Sequence, residues 1–224
     1  AIELGTNHPG EMGVLCDLFK ADIGIITNIG KEHLEGFEDL ESIAREESEL
    51  YLMLQRDNAI ATVNMDDQWL GNMSKRLDQT ISYSLNNRNA DLYLHITQEM
   101  PQLHFEVFFK SENMGTFQSK IGGSYNAYNI AAAVTIGHYF GIAIQTAIDR
   151  CCAYEPNNNR SQWLINDKGQ QIFLDAYNAN PSSMELGLKS FSTITGSKTI
   201  LLGDMLEMGA HSEGEHRSIF EIAQ

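Results

Sequence analysis

The sequence has few basic residues for its size. Among 224 residues, 15 are Lys or Arg and 30 are Asp or Glu, which gives a formal net charge of −15. A chain this acidic repels nucleic acid and anionic membrane surfaces. We therefore expect no nucleic-acid partner. Any anionic ligand would have to be held by local basic groups or by bound cations.

Cysteine and long apolar runs are also scarce. The three cysteines, Cys16, Cys151 and Cys152, are too few and too unevenly spaced for a disulfide framework or a zinc site. No stretch approaches the ~18 consecutive apolar residues of a membrane-spanning helix, and no signal-peptide pattern is seen. These absences predict reduced thiols, a cytoplasmic setting and no insertion into a membrane.

The apolar residues that are present, 42% of the chain, are enough for one large domain or for one and a half. The first residues, "AIELG", carry a strand-like pattern without an initiator Met. The last residues, "EHRSIFEIAQ", stop within a helical pattern. We therefore expect the sequence to be a fragment of a longer protein.

Short apolar runs alternate with helical periodicity along most of the chain. Strands are predicted at 21–30, 58–67 and 79–85, and helices at 39–54 and 126–142. Between 91 and 121 the pattern changes to the polar–apolar alternation of antiparallel strands. The predicted fold class is α/β, with a mainly parallel sheet and an antiparallel appendage.

A polar stretch, "YEPNNNRSQ" (154–162), suits a linker between two domains. After it, "QQIFL", a helix and "KTILLGD" predict the order strand, loop, helix, strand. This order is typical of the opening of a Rossmann-like domain. We predict one domain over residues 1–157 and the first part of a second over 158–224.

Ligands of open parallel sheets bind at the carboxyl ends of the strands. Glu3 lies in the first predicted strand, and the two loops that follow strands hold Asn7, His8, Glu11, Asn28, Lys31, Glu32, His33 and Glu35. Carboxylates and imidazoles from neighbouring loops could bind a divalent metal, and the alternative is helix caps and solvated charges. The motif "TNHPGE" is faintly similar to an element of metallophosphatases, but the histidines lack the spacing that those enzymes need.

Carboxamides recur at two further places, and a basic residue lies between them. Asn126 and Asn129 lie three apart in the first turn of a predicted helix, and a carboxamide offers the donor and acceptor that match an adenine edge. Helix capping is the alternative. Arg160 in the linker either stays solvated or reaches phosphates. The stretch "DAYNANPSSM" (175–184) has more carboxamides than ordinary turn chemistry requires.

Taken together and in order, seven motifs resemble the Mur ligase family. They are "ELGTNHPGEMG", "TNIGKEHLEGF", "NMDD", "GGSYNAYNIAAA", "NNRSQ", "DAYNANPSSM" and "LGDMLEMG". Within the family they are most similar to the branch that adds D-Ala-D-Ala to UDP-MurNAc-tripeptide in peptidoglycan synthesis. The resemblance runs from residue 2 to about residue 217 and implies the central ATPase domain and part of a Rossmann-like third domain. The phosphate loop G-x-x-x-x-G-K-[ST] does not occur in the sequence, so we do not expect this chain to catalyse a reaction alone.

The resemblance also implies a mechanism, with ATP and Mg²⁺ as cofactors. ATP phosphorylates the terminal carboxylate of the tripeptide, and the amine of D-Ala-D-Ala attacks the resulting acyl phosphate. The implied metal ligands are Glu3 and His33, and Asn126 and Asn129 are the implied adenine contacts. Arg160, Asp175 and Tyr177 are also implied to bind the nucleotide, and the implied catalytic residues are His33, Glu47, Asn178 and Asn180.

One position departs from the family pattern. Many members carry a carbamylated lysine that supplies a carboxylate-like group to the second metal, and here Glu47 stands in its place. Glu47 is either a shorter anionic stand-in, or the alignment slips by one residue, or the metal is held through water. Two other readings of the whole chain stay open: a binding or scaffold module, and a sibling ligase such as a folylpolyglutamate or cyanophycin synthetase. "YNANPSSM" argues against the sibling.

Overall fold

The computed structural model describes residues 1–31, 35–37 and 39–224. The predicted residue His33 lies outside the described residues. In chain order the elements are α1 (Glu11–Cys16), β1 (Ile23–Ile25), α2 (Leu40–Arg56), β2 (Ile60–Asn64), α3 (Gln68–Ser74), β3 (Thr80–Ser84), β4 (Leu92–Gln98), β5 (His104–Phe109), β6 (Glu112–Gln118), α4 (Ser124–Tyr139), α5 (Ile144–Cys152), β7 (Gln162–Ile165), β8 (Gln171–Leu174), α6 (Pro181–Ser192) and α7 (Ser212–Ile222). A short 3₁₀ turn, Gly209–His211, precedes α7.

The larger sheet has six strands in the order β1-β2-β3-β4-β5-β6. The pairs from β1 to β4 are parallel, and β4, β5 and β6 are antiparallel. This confirms the predicted α/β class with an antiparallel appendage. The carboxyl ends of the parallel strands lie along one edge of the sheet, where the candidate site is found.

Local sequence explains the elements that were predicted well. Strand β2 is mostly apolar, and its residues Ala61–Asn64 are buried, as expected for a central strand of a parallel sheet. Helix α2 begins at Leu40, and the preceding Asp39 caps it, because the Asp39 side chain accepts a hydrogen bond from the backbone N–H of Ser42. In β5, Phe105 and Val107 point into the core while their neighbours are partly exposed, which is the alternation that predicted the appendage.

Two predicted strands are not formed. Residues 1–6 and 198–203 have no strand pairing in the part of the chain that the structure describes. The second sheet contains only β7 and β8, paired antiparallel. A strand needs a neighbour for its backbone N–H and C=O groups, and the apolar pattern of "KTILLGD" does not supply one. Leu201 is accordingly 94% exposed.

The buried apolar residues form three clusters. One lies beneath the appendage and α4, and a second lies between α1, α2 and the parallel strands. The third combines the two parts of the chain that we predicted as separate domains, and its buried members are Phe37, Ile43, Leu188, Met205, Met208 and Ile219. The C-terminal segment therefore packs on the start of α2 through a shared core.

No helix in the described part of the chain is long and apolar enough to cross a membrane.

Candidate functional site

The carboxylate of Asp67 helps to hold the loop that follows β1. One oxygen, Oδ2, accepts a hydrogen bond of 2.8 Å from the backbone N–H of Ile29. The other, Oδ1, accepts from the N–H groups of Trp69 and Leu70 and caps α3. Asp67 thus ties the loop to the helix that follows β2. His33, predicted as a metal ligand and catalytic residue, lies beyond this loop and outside the described residues, so its role stays a prediction.

Lys31 connects the same loop to the C-terminal segment. Its backbone N–H donates to Ser182 Oγ at 2.9 Å, and its Nζ lies 2.7 Å from Glu215 Oε1. A cavity of about 520 Å³ opens beside these contacts and is lined from both parts of the chain. The strand-end loop, α6 and α7 therefore enclose one cleft.

Glu3 is exposed, and it lies in the unpaired segment 1–6 rather than in the predicted strand. The neighbouring Glu11 has a local role. Its Oε2 accepts from the backbone N–H groups of Asn7 and His8, at 2.7 and 3.1 Å. These backbone hydrogen bonds lower the pKa of Glu11 below its ordinary value. Glu11 thus closes the turn before α1; it is not a helix cap, because the N-cap of α1 is Gly10, without a side-chain cap hydrogen bond.

On α2 the buried acid is Glu46 and not Glu47. Glu46 is 6% exposed, and its carboxylate accepts from Gly10 N at 2.7 Å and from Met12 N at 2.6 Å. Glu47, the predicted catalytic residue, is half-buried. Sequence reasoning missed Glu46, although helical spacing places it in the apolar stripe of α2, which contains Ile43, Glu46, Leu50 and Met53.

The described residues do not by themselves form a metal centre. Within 1–31, 35–37 and 39–224, no three His, Cys, Asp or Glu side chains come together as a metal-binding group. Glu3 and Glu47 each carry the oxygen ligands that Mg²⁺ prefers. The magnesium role of Glu3 and the stand-in role of Glu47 stay predictions.

The two asparagines of α4 differ in their surroundings. Asn126 is 7% exposed, and its Nδ2 donates to Gly122 O at 2.7 Å and to Ser161 Oγ at 2.9 Å. Asn129 is exposed, and its Nδ2 donates to Asn126 Oδ1 at 3.3 Å. Gly122 itself packs closely on Pro101, because a Cβ at that position would lie 2.4 Å from the carbonyl oxygen of Pro101.

Asp175 is predicted to bind the cofactor. In this structure both of its carboxylate oxygens accept hydrogen bonds from the protein. Its Oδ1 accepts from the backbone N–H of Ser161 at 3.1 Å, and its Oδ2 accepts from the Tyr125 hydroxyl at 3.3 Å. The Tyr125 and Ser161 hydroxyls are themselves 2.8 Å apart. Burial, and next the charge of Asp175, raise the pKa of Tyr125 above its ordinary value, so the phenol stays protonated and can donate.

Arg160 and Tyr177 are brought together beside this network. The guanidinium carbon of Arg160 lies 3.8 Å from the centroid of the Tyr177 ring, and the ring is 62% exposed. This distance is that of a close cation–π contact. The structure therefore places Asn126, Asn129, Arg160, Asp175 and Tyr177 around the linker.

The two asparagines predicted as catalytic, Asn178 and Asn180, make local contacts. Asn180 is the N-cap of α6, and its Oδ1 accepts from Ser183 N at 2.8 Å in a capping box. Asn178 Oδ1 accepts from Ala179 N at 2.9 Å. Both carboxamides of this tip thus make ordinary turn and cap contacts, and their catalytic role stays a prediction.

Comparison with known proteins is consistent along the whole chain. The Mur ligase middle domain model matches residues 1–137, and the model of the Mur ligase, glutamate ligase domain matches residues 159–224. The chain therefore belongs to the Mur ligase family.

Two curated relatives are UDP-N-acetylmuramoyl-tripeptide--D-alanyl-D-alanine ligases. That of Bacillus subtilis is 32% identical over 218 residues, which are 96% of this chain and 46% of the relative. That of Escherichia coli is 27% identical over 228 residues, which are 100% of this chain and 50% of the relative. The chain spans about half the length of the curated relatives it matches.

Solved structures share the fold. MurF from Acinetobacter baumannii superposes with a TM-score of 0.85 at 24% identity, over 97% of this chain and 48% of that one. MurF ligase from Thermotoga maritima, solved in complex with ADP, superposes with a TM-score of 0.83 at 23% identity, over 96% of this chain and 49% of that one.

Proposed function

We propose that the chain is part of an ATP-dependent ligase that adds D-Ala-D-Ala to UDP-MurNAc-tripeptide. The observation that supports this most directly is the match to two ligases of that name over 96–100% of the chain. A carboxylate oxygen of the tripeptide attacks the γ-phosphorus of ATP, ADP leaves, and an acyl phosphate forms. The amine of D-Ala-D-Ala then attacks the acyl carbon, loses a proton, and inorganic phosphate leaves.

The arrangement around the linker supports an adenine nucleotide as the cosubstrate. Asn129 offers an exposed carboxamide on α4, and Arg160 offers an exposed cation. The relative from Thermotoga maritima was solved with ADP. We propose Mg²⁺ as the accompanying ion, with Glu3 and His33 as ligands and Glu47 beside the second ion. A bound cation would neutralise phosphate charge that so acidic a chain otherwise repels.

The cleft beside Lys31 supports the proposed place of the amine substrate. Lys31 joins the strand-end loop to Ser182 and Glu215, so the loop and the two C-terminal helices face one another. Binding between two parts of a chain excludes water and brings substrates together. A cytoplasmic setting and the lack of a nucleic-acid partner stay predictions.

The test uses the protein encoded by the longest open reading frame that contains these 224 residues. It is incubated with UDP-MurNAc-tripeptide, D-Ala-D-Ala, ATP and Mg²⁺, and the products are identified by mass spectrometry. We expect UDP-MurNAc-pentapeptide and ADP, with neither formed when D-Ala-D-Ala or Mg²⁺ is omitted. Product with L-glutamate in place of D-Ala-D-Ala would favour a sibling ligase. No product with any amine would favour a scaffold.

A further inference from the structure

The cavity beside Lys31 is lined by both apolar and charged side chains. Its volume is about 520 Å³, and its lining includes Leu40, Pro181 and Ile219 as well as Lys31 and Glu215. Leu40 and Ile219 also belong to the third apolar cluster, so part of the lining is the core that joins the two parts of the chain. A lining of this kind suits a small ligand that has apolar side groups and charged ends.

Acidic side chains predominate in the lining. Among the described residues that line the cavity, Lys31 is the one cation, and Glu185, Glu215 and Glu221 are carboxylates. Glu185 has a cation of its own one turn along α6, since it pairs with Lys189. The excess of negative charge disfavours a ligand that carries carboxylates without a positive group.

The ion pair of Lys31 and Glu215 has hydrogen-bonding capacity left. Lys31 Nζ lies 2.7 Å from Glu215 Oε1, and the two side chains are 51% and 16% exposed. An ammonium has three donors, and each carboxylate oxygen accepts more than one hydrogen bond. Among the described residues, Glu215 uses one of the donors of Lys31. The pair can therefore stay formed and still offer a donor to an anion and an acceptor to a cation.

The two ends of a dipeptide can reach these two groups at once. Lys31 and Glu215 are 2.7 Å apart at their nearest charged atoms. With one charge-assisted hydrogen bond on each side of the pair, the ends of the ligand can lie up to about 8 Å apart. Two residues span at most about 7 Å when extended. A zwitterionic dipeptide with small side chains therefore matches both the charges and the apolar part of the lining.

We infer that Lys31 binds the carboxylate of a zwitterionic dipeptide, that Glu215 binds its ammonium group, and that Glu185 and Glu221 exclude amines with a further carboxylate. This rests on the proposed function, in which D-Ala-D-Ala is the amine, and it adds which residues select that amine. L-Glutamate, the amine of the sibling ligase, carries a second carboxylate. Like charges brought together in a cleft weaken binding, so these acids act against that substrate.

Comparison of D-Ala-D-Ala with its C-terminal amide isolates the role of Lys31, because the two substrates differ only in the carboxylate. The protein from the longest open reading frame is assayed at saturating ATP and UDP-MurNAc-tripeptide, and the ratio of kcat/KM for the acid to that for the amide is taken. This ratio cancels a general loss of activity. We expect the wild type to prefer the acid by about tenfold, Lys31→Met to lose the preference and Lys31→Arg to keep it.

The matched control for Lys31 is Lys189→Met. It removes an exposed cation of α6 that does not line the cavity, and the preference for the acid should stay as in the wild type. For Glu215 we expect Glu215→Gln to raise KM for the acid and for the amide by a similar factor of about ten, because both substrates carry the ammonium group.

Comparison of D-Ala-D-Gln with D-Ala-D-Glu isolates the role of the other two acids, because the side chains are nearly isosteric and differ in charge. We expect the wild type to favour D-Ala-D-Gln. The double variant Glu185→Gln with Glu221→Gln should lower this preference by about three- to tenfold. Glu213→Gln is the control, since Glu213 is an exposed acid of α7 that pairs with Arg217 and does not line the cavity.

The assignment of Lys31 is overturned if the wild type uses the acid and the amide equally, or if Lys31→Met keeps the wild-type ratio. Loss of the preference in Lys189→Met would also overturn it, because any nearby cation would then suffice. An unchanged KM in Glu215→Gln would remove Glu215, and an equal effect of Glu213→Gln would remove the two excluding acids. A wild-type protein that forms no product with any of these amines would instead contradict the proposed function itself.

Discussion

The guanidinium carbon of Arg160 lies 3.8 Å from the centroid of the Tyr177 ring. Arg160 belongs to the linker and Tyr177 to the loop after β8, and the chain brings them together through the hydrogen bond from Ala176 N to Asn159 O at 2.7 Å. A cation held over a ring is restricted in its rotamers. This contact would hold Arg160 in place for the phosphate contact that we propose for it.

Removing the ring of Tyr177 should therefore weaken nucleotide binding. An exposed cation–π contact contributes about 0.5–1 kcal/mol, so we expect Tyr177→Ala to raise the Kd for ATP about two- to fivefold. Tyr177→Phe keeps the ring face and should bind like the wild type. Tyr154→Ala removes another exposed tyrosine and is the control. Calorimetry with ATP and Mg²⁺ measures the Kd of each variant. An equal loss of affinity in Tyr177→Phe would assign the effect to the hydroxyl and not to the ring.

Glu46 should matter more for stability than its neighbours on α2. Glu46→Ala leaves the N–H groups of Gly10 and Met12 without their acceptor, and we expect the free energy of unfolding to fall by about 1–3 kcal/mol. Glu46→Gln keeps one acceptor oxygen, so its free energy of unfolding should lie between those of the wild type and of Glu46→Ala. Urea denaturation gives the values.

The control for Glu46 is Glu41→Ala on the same helix. Glu41 is exposed and lies 3.5 Å from Arg45 at a spacing of four residues, so its loss should change stability by less than about 0.5 kcal/mol. Equal effects at the two positions would show that the buried hydrogen bonds of Glu46 contribute nothing of their own.

The third apolar cluster predicts that the two parts of the chain unfold together. Met208 is 3% exposed in that cluster, and we expect Met208→Ala to lower the free energy of unfolding by about 2–5 kcal/mol. Leu206→Ala, two residues away and 74% exposed, should have little effect. Denaturation followed by tryptophan fluorescence tests this, because Trp163 lies in the C-terminal segment and Trp69 on α3. Separate transitions for the two parts in the wild type would contradict the shared core.

Stability should decline in alkali partly because of Cys152. Burial, then the neighbouring Cys151, raise the pKa of Cys152 from 9.0 to about 11. The folded state thus holds the proton more tightly than the unfolded state. The contribution to stability is complete below pH 9 and is lost as the pH rises through 11. Melting temperatures from pH 8 to 11 should fall less steeply for Cys152→Ala, and parallel curves for the two proteins would refute this.

Much of the architecture was predictable because it is local. The buried run of β2, the capped helix α2 and the alternation in β5 each follow from residues close in sequence. The strand predicted at 198–203 was wrong, because strand formation depends on a neighbour and not on apolar pattern alone. The hairpin of β7 and β8 was missed, although "NDKG" between "QWLI" and "QQIFL" is a turn signal.

The grouping of residues around the linker was predictable from the sequence, whereas their functional roles stay predictions. Arg160, Asp175 and Tyr177 do lie together beside the linker. The partners of Asn126 and Asp175 were not visible, because the contact of Asn126 with Ser161 spans 35 positions and depends on where the linker crosses α4. The sequence alone allows Asn180 to be a helix cap or a ligand. In the structure its Oδ1 accepts a hydrogen bond from Ser183 N, and Asn180 caps α6.

The shared core also has a consequence for synthesis on the ribosome. Phe37 and Ile43 emerge early, but their partners Met208 and Ile219 are translated roughly 180 residues later, a delay of about 10–35 s at common elongation rates. During this interval the parallel sheet can form, because the last of its strands, β4, ends at Gln98. The nascent chain would then carry a folded sheet beside an uncovered apolar patch that includes Phe37 and Ile43, which is the kind of surface that chaperones bind.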